Sequence, residues 1–235
     1  MIKKTLLTLT VLTLASLTAF AATKDGIVLS KDGRMVTATK PATASVKRTD
    51  SSDAGLVKIY NSLSIYAKAT YWCCSGYTIA GPAAVSGFPE IWTAAAFTPS
   101  ANHTVTKIKV GVGLIQGTNS LVLSLYSDSN GLPGTALQTW TISALPTFRS
   151  CCVVETKVDR AGIAVTGGTQ YWVVLQTDTN DTNAFAAWNV NDTDEVDPAP
   201  VAQYCSADQG GSCGTNDAWT AFQAQPGLAF AILGQ

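Results

Sequence analysis

Six cysteines, six tryptophans and two knots of oxygen-bearing side chains are the residues of this chain that could do chemistry. Cysteines stand as two adjacent pairs, Cys73-Cys74 and Cys151-Cys152, with Cys205 and Cys213 further on. No Cys-x-x-Cys spacing occurs and His103 is the single histidine, so a zinc-thiolate site is disfavoured. On an exported chain the thiols meet an oxidising compartment, and all six are expected to be bonded. Neighbours on an extended segment point to opposite sides. The two pairs therefore leave three arrangements open: one cross-bridge with two cysteines pairing elsewhere, two twisted cross-bridges, or two vicinal bonds. Cys205 and Cys213 bracket Gly210-Gly211 and are expected to close a local loop.

The oxygen-rich segments suggest calcium, which takes six to eight oxygen ligands. Asn191, Asp192, Asp194, Glu195 and Asp197 crowd carboxylates and amides into one stretch. Asp128-x-Asn130-Gly131 offers a smaller set, and it is also ordinary turn chemistry. Calcium is thus a candidate structural ion, and no other cofactor is implied. Among the aromatics, Trp72, Tyr77, Trp92 and Trp188 are the candidates for stacking on a ligand, because an indole plane matches the apolar face of a sugar. Trp140 and Trp172 lie in strand-like stretches and read as core.

Catalytic patterns are sparse. The chain has no Gly-x-Ser-x-Gly elbow, no His-Glu-x-x-His and no phosphate-binding glycine loop. Glycoside hydrolysis needs two carboxyls close together, and Glu90 and Glu155 are candidates only because both lie in apolar surroundings.

The elements that must hold these residues follow from the hydrophobic pattern. Residues 1–21 read as a signal peptide: Lys3 and Lys4, an apolar run from Leu6 to Leu17, then Ala19-Phe20-Ala21 as a small-x-small cleavage site. The protein is expected to be secreted, extracellular or periplasmic, with no membrane span in the mature chain. Residues 22–58 hold seven basic side chains and four acidic ones, and 22–55, with few large apolar residues, read as a flexible tether with a short hairpin around Ile27-Val28-Leu29. Residues 56–235 read as one domain. Its acidic residues outnumber its basic ones about two to one, which gives no attraction for nucleic acid. The charged fraction of the whole chain is 13%, about half the usual value, which suits an extracellular β-protein.

Within that domain, Ile108, Val110, Val112 and Leu114 alternate with Lys107 and Lys109, and Leu121, Leu123 and Leu125 alternate with Ser124 and Tyr126. Tyr171, Val173 and Leu175 repeat the pattern, as do Leu228, Phe230 and Ile232. Period-two alternation broken by Asn130-Gly131, Pro133-Gly134 and Gly167-Gly168 predicts an all-β, antiparallel sandwich, jelly-roll-like and disulfide-stapled.

Three stretches carry a further signal: Phe97-Thr98-Pro99-Ser100, then Leu123 through Gly134 (LSLYSDSNGLPG), then Val165 through Val173 (VTGGTQYWV). In this order they resemble the bacterial secreted β-sandwich domains called choice-of-anchor domains, the R type above all. The resemblance spans about residues 59–235 and implies an exported sandwich. Such domains are usually tethered by a C-terminal sorting helix or wall-anchor signal, and this sequence is read as lacking one. Together these readings lead to a non-catalytic module binding glycan or a cell-surface partner, with a structural component of the cell surface as the alternative and a glycan-acting enzyme using Glu90 and Glu155 as the second.

Overall fold

The computed structural model describes residues 27–30, 33–38, 53–63, 72–85, 88–150, 153–158, 161–180, 182–191, 199–206, 217–223 and 227–235. Sixteen strands fill them and no helix occurs among the described residues. In chain order they are β1 (Ile27–Leu29), β2 (Met35–Ala38), β3 (Val57–Asn61), β4 (Trp72–Ala80), β5 (Ile91–Phe97), β6 (His103–Val110), β7 (Val112–Gln116) and β8 (Ser120–Ser129). There follow β9 (Leu132–Ser143), β10 (Val154–Lys157), β11 (Ile163–Val165), β12 (Tyr171–Gln176), β13 (Phe185–Val190), β14 (Pro200–Cys205), β15 (Ala218–Gln223) and β16 (Phe230–Gly234). All pairings between them are antiparallel, in an eleven-stranded and a five-stranded sheet. No helix of the described residues is long and apolar enough to cross a membrane.

The large sheet runs β1-β2-β4-β5-β12-β8-β9, with β13 and then β7 beside β4, and β14 and then β15 beside β5. The small sheet is β10-β6-β16-β3, with β11 also on β6. The alternation seen in the sequence is what closes them face to face. Leu121, Leu123, Leu125, Val173 and Leu175 from the large sheet join Val105, Ile108, Val110, Phe230 and Ile232 from the small one in a single buried cluster. Each such side chain, fully buried, contributes about 1.5–3 kcal/mol.

The predicted run Ile108–Leu114 is cut in two at Gly111. Its N–H donates to the Ala229 carbonyl and its own carbonyl accepts from the Asn189 N–H. There the chain leaves the small sheet as β6 and enters the large one as β7. The alternating residues on either side stay in the common core.

The hairpin expected around Ile27-Val28-Leu29 forms, and it docks on the domain; residues 39–52 of the expected tether lie outside the described residues. Residues 27–29 and 35–38 form β1 and β2, and β2 pairs with β4 in the register Met35↔Tyr77, Val36↔Gly76, Thr37↔Ser75. Ile27, Val36 and Ala38 are buried with Phe148, Phe185 and Ala187 in a second cluster. Few apolar residues suffice, because a strand added to an existing edge has its backbone satisfied by that edge and needs only one covered face. The 22–55 segment also contributes Asp53, which binds Lys107 and Lys109.

The cysteine framework is corrected at one position. Cys74 is a free thiol, half-buried in the second cluster. Burial pushes this thiol up from its ordinary range, against the pull of the nearby Arg149 guanidinium. Among the described residues no disulfide joins two cysteines. Cys205 is disulfide-bonded to a partner outside them, and the side chains of Cys73, Cys151, Cys152 and Cys213 also lie outside.

Candidate functional site

The large sheet has a second, smaller core on the face turned away from the small sheet. Register sets its layout. Antiparallel pairing places Trp219, Tyr204 and Trp92 in one row across β15, β14 and β5. The next row holds Ala221, Ala202, Ala94, Val174, Ser124 and Thr139. A third places Ala96, Trp172 and Tyr126 side by side on β5, β12 and β8. Large rows thus flank a row of small side chains. Ala94, Ala96, Ala202 and Val174 are buried beneath the neighbouring rings, together with Trp172. The edge strands β9 and β15 approach each other over this face, so Leu132 and Trp219 pack on the same cluster.

The row on β15, β14 and β5 keeps contact with solvent: Trp92, Tyr204 and Trp219 are each half-buried. Trp92 stacks on Tyr204 with ring centroids 4.4 Å apart and planes 26° apart. Trp219 lies 6.1 Å from Tyr204 and 6.2 Å from Trp92, tilted to both. Each ring is therefore held by the other two, and by more than packing. The Trp92 indole N–H donates to Glu90 Oε1 at 2.9 Å, which also accepts from the Thr177 hydroxyl at 3.3 Å. The Tyr204 hydroxyl donates to Asp217 Oδ1 at 3.2 Å. This is a rigid aromatic patch with a carboxylate at two of its rings.

Of the four aromatics expected to stack on a ligand, only Trp92 belongs to this patch. Tyr77 and Trp188 are corrected to core. Tyr77 is 3% exposed and packs on Phe222, while Trp188 is wholly buried, edge-on to Phe230, its indole N–H donating to the Ala229 carbonyl. Both sit on strands β4 and β13, whose inward faces meet the small sheet. The Trp72 side chain lies outside the described residues. Tyr204 and Trp219 are the functional candidates missed by sequence reasoning. The signal was an aromatic on each arm of one hairpin, which pairing makes neighbours.

Calcium finds no site in the hairpin of Asp128. Its Oδ2 accepts the Gly131 N–H at 3.0 Å, and its Oδ1 accepts the Gln170 amide at 2.7 Å and the Trp172 indole at 2.8 Å. Burial raises this carboxyl, but the hydrogen bonds from Gly131, Trp172 and Gln170 outweigh it and hold Asp128 below the usual carboxylate range. Oxygens so engaged by N–H groups are a turn anchor, with Asn130 and Gly131 at φ 55° and 80° completing a two-residue loop. Asn191 is 5% exposed at the end of β13, its Oδ1 buried without a donor. Asp192, Asp194, Glu195 and Asp197 lie outside the described residues. Among the described residues no three His, Cys, Asp or Glu side chains gather into a metal-binding group.

Glu90 and Glu155 are not brought together, which corrects their pairing as acid and base. Glu90 precedes β5 and serves Trp92, whereas Glu155 is on β10 of the small sheet. There Glu155 and Asp53 bind two nearly buried lysines: Lys107 at 3.6 and 2.8 Å, Lys109 at 2.9 and 2.5 Å. Both lysines do point away from the main core, as the alternation predicted. His103 Nδ1 is 3.3 Å from the Gln235 carbonyl.

The fold defines the protein as an all-β, two-sheet antiparallel sandwich. No family model matches the chain, and neither a curated protein nor a solved structure is detectably similar to it.

Proposed function

We propose that this chain is a secreted, non-catalytic β-sandwich module that binds carbohydrate on the outer face of its large sheet. One observation carries the reading: Trp92, Tyr204 and Trp219 form a continuous, half-exposed row across three adjacent strands, each fixed by ring contacts and two of them by carboxylates. A pre-stacked row loses little side-chain entropy on binding and offers apolar edges beside hydrogen-bond acceptors, the mixture a sugar ring presents in return. The signal-like leader and the likeness to choice-of-anchor domains support export to the cell surface. Tryptophan-fluorescence titration against a panel of soluble polysaccharides tests it. Binding to at least one glycan, lost in Trp92→Ala with Trp219→Ala, is the expected result. A flat response across the panel overturns it.

A second reading has its own support. β1 and β3 each end a sheet, and Val28 and Val57 on them are among the most exposed large apolar residues. Strand ends of this kind suit edge-to-edge assembly into a surface structure. Light scattering that shows only monomer at high concentration excludes it.

A further inference from the structure

We infer that the Trp92–Tyr204–Trp219 row recognises glycans bearing free, protonated amino groups; the inference rests on the carbohydrate reading above and names its substrate class. The observation behind it is an uncompensated charge. Glu90 is half-buried, and among the described residues the donors its carboxylate receives are the neutral Trp92 indole and the neutral Thr177 hydroxyl, with no cation. Three of the described basic residues are engaged elsewhere. Lys107 and Lys109 bind Asp53 and Glu155 on the small sheet, and Arg34 lies over the Phe222 ring at 5.0 Å. A carboxylate drawn partly out of water without a counter-charge is unfavourable, and a ligand cation offsets that.

The surroundings of Glu90 point the same way. Extending the pair Leu175↔Thr93 by one residue sets Gln176 across from Trp92, and Gln176 Oε1 is buried with no donor. A second carboxylate, Asp217, meets the row at the Tyr204 hydroxyl. The patch is therefore rich in acceptors. An ammonium group carries donors alone, and aromatic ring faces attract cations. A neutral sugar would gain the stacking and leave the charge as it is. An amino sugar gains both.

The test uses the intact mature chain, with intrinsic fluorescence and calorimetry at about pH 5.5, below the ordinary range of an amino group. The probes are oligomers of glucosamine, of N-acetylglucosamine and of glucose, together with oligolysine. Glucosamine oligomers are expected to bind about tenfold tighter than either neutral oligomer, a preference that weakens with added salt. Glu90→Gln keeps an acceptor for the Trp92 indole and should abolish the preference for glucosamine oligomers. Asp217→Asn is the second variant, expected to reduce it. Glu155→Gln, the same charge change on the other sheet, should leave it intact. Equal affinity for charged and neutral oligomers overturns the inference and leaves the carbohydrate reading standing. Binding of no glycan overturns both. Tight binding of oligolysine without glucosamine oligomers overturns the inference in favour of a basic peptide, and an undiminished preference in both row variants overturns the role of the carboxylates.

Discussion

Trp172 and Asp128 are joined by a 2.8 Å hydrogen bond from the indole N–H to the carboxylate Oδ1. The indole is wholly buried, and the carboxylate belongs to the hairpin turn between β8 and β9. A turn that could read as a cation loop is thus the polar lid of the second core. It holds β9 in place over the alanine row, and with it one wall of the face on which the aromatic patch lies.

Asp128→Ala should destabilise the protein by about 1–3 kcal/mol, because the buried Trp172 N–H loses its acceptor. Urea unfolding with tryptophan fluorescence measures it. The pH dependence has a fixed sign. The folded carboxyl titrates below its unfolded value of about 4, so its contribution is complete above that pH and is lost as pH falls through the folded value. Wild type should lose more stability on acidification than Asp128→Asn, in which this group no longer titrates. An identical acid profile in the two proteins would sink the assignment.

Gly131→Ala tests the same turn from its backbone. A Cβ there meets nothing within 4 Å, so the whole cost is the left-handed φ of 80°. About 1–2 kcal/mol is expected. Millimolar calcium should neither recover that loss nor be affected by it, since the Asp128 oxygens are already filled by N–H donors. A calcium-induced rise in Tm that vanishes in Asp128→Asn would contradict this.

Deleting the chain through residue 39 should lower Tm by several degrees, as should Val36→Ala, which empties a wholly buried position at a cost of about 2 kcal/mol. The deletion also uncovers the edge of β4 from Ser75 to Tyr77. Increased self-association of the truncated protein is the expected companion effect. A truncated chain as stable and as monomeric as the full one would restore the tether.

Strands that send alternate large apolar residues into the main core were legible in the sequence. The triplet Leu121, Leu123, Leu125 and the triplet Leu228, Phe230, Ile232 declared their inward side by alternation, and the structure keeps it. A strand without that alternation gave no such signal. β13 is buried on every residue, so nothing in its periodicity tells that Trp188 faces the main core. The patch was half legible. Trp92 stood out by type, but its partners Tyr204 and Trp219 lie more than a hundred residues away and become neighbours only through strand pairing. The β1–β2 hairpin was expected, but its docking was not legible for a related reason: its stability comes from the edge of β4, which lies outside its own composition.

Asp53→Ala should destabilise by about 2 kcal/mol, a value between those of exposed and buried ion pairs because Asp53 is 32% exposed while Lys107 is 3% exposed. The substitution leaves Glu155 alone between two nearly buried ammonium groups, and it frees the segment leading into β3. The charges predict two flanks. Burial raises the Asp53 carboxyl, yet hydrogen bonds and attraction from Lys107 and Lys109 leave it below its usual range. That part of the stability is therefore present above about pH 4 and lost as pH falls through the folded value. Burial alone would lower the Lys109 amine, but hydrogen bonds and charge from Asp53 and Glu155 raise it. Its contribution is present below the unfolded value of about 10.4 and lost as pH rises through the folded one. Chemical denaturation across pH should show a plateau between those limits. In Asp53→Ala the plateau should drop and its acid edge become shallower. If wild type and variant give parallel curves at all pH values, the cluster does not hold the segment.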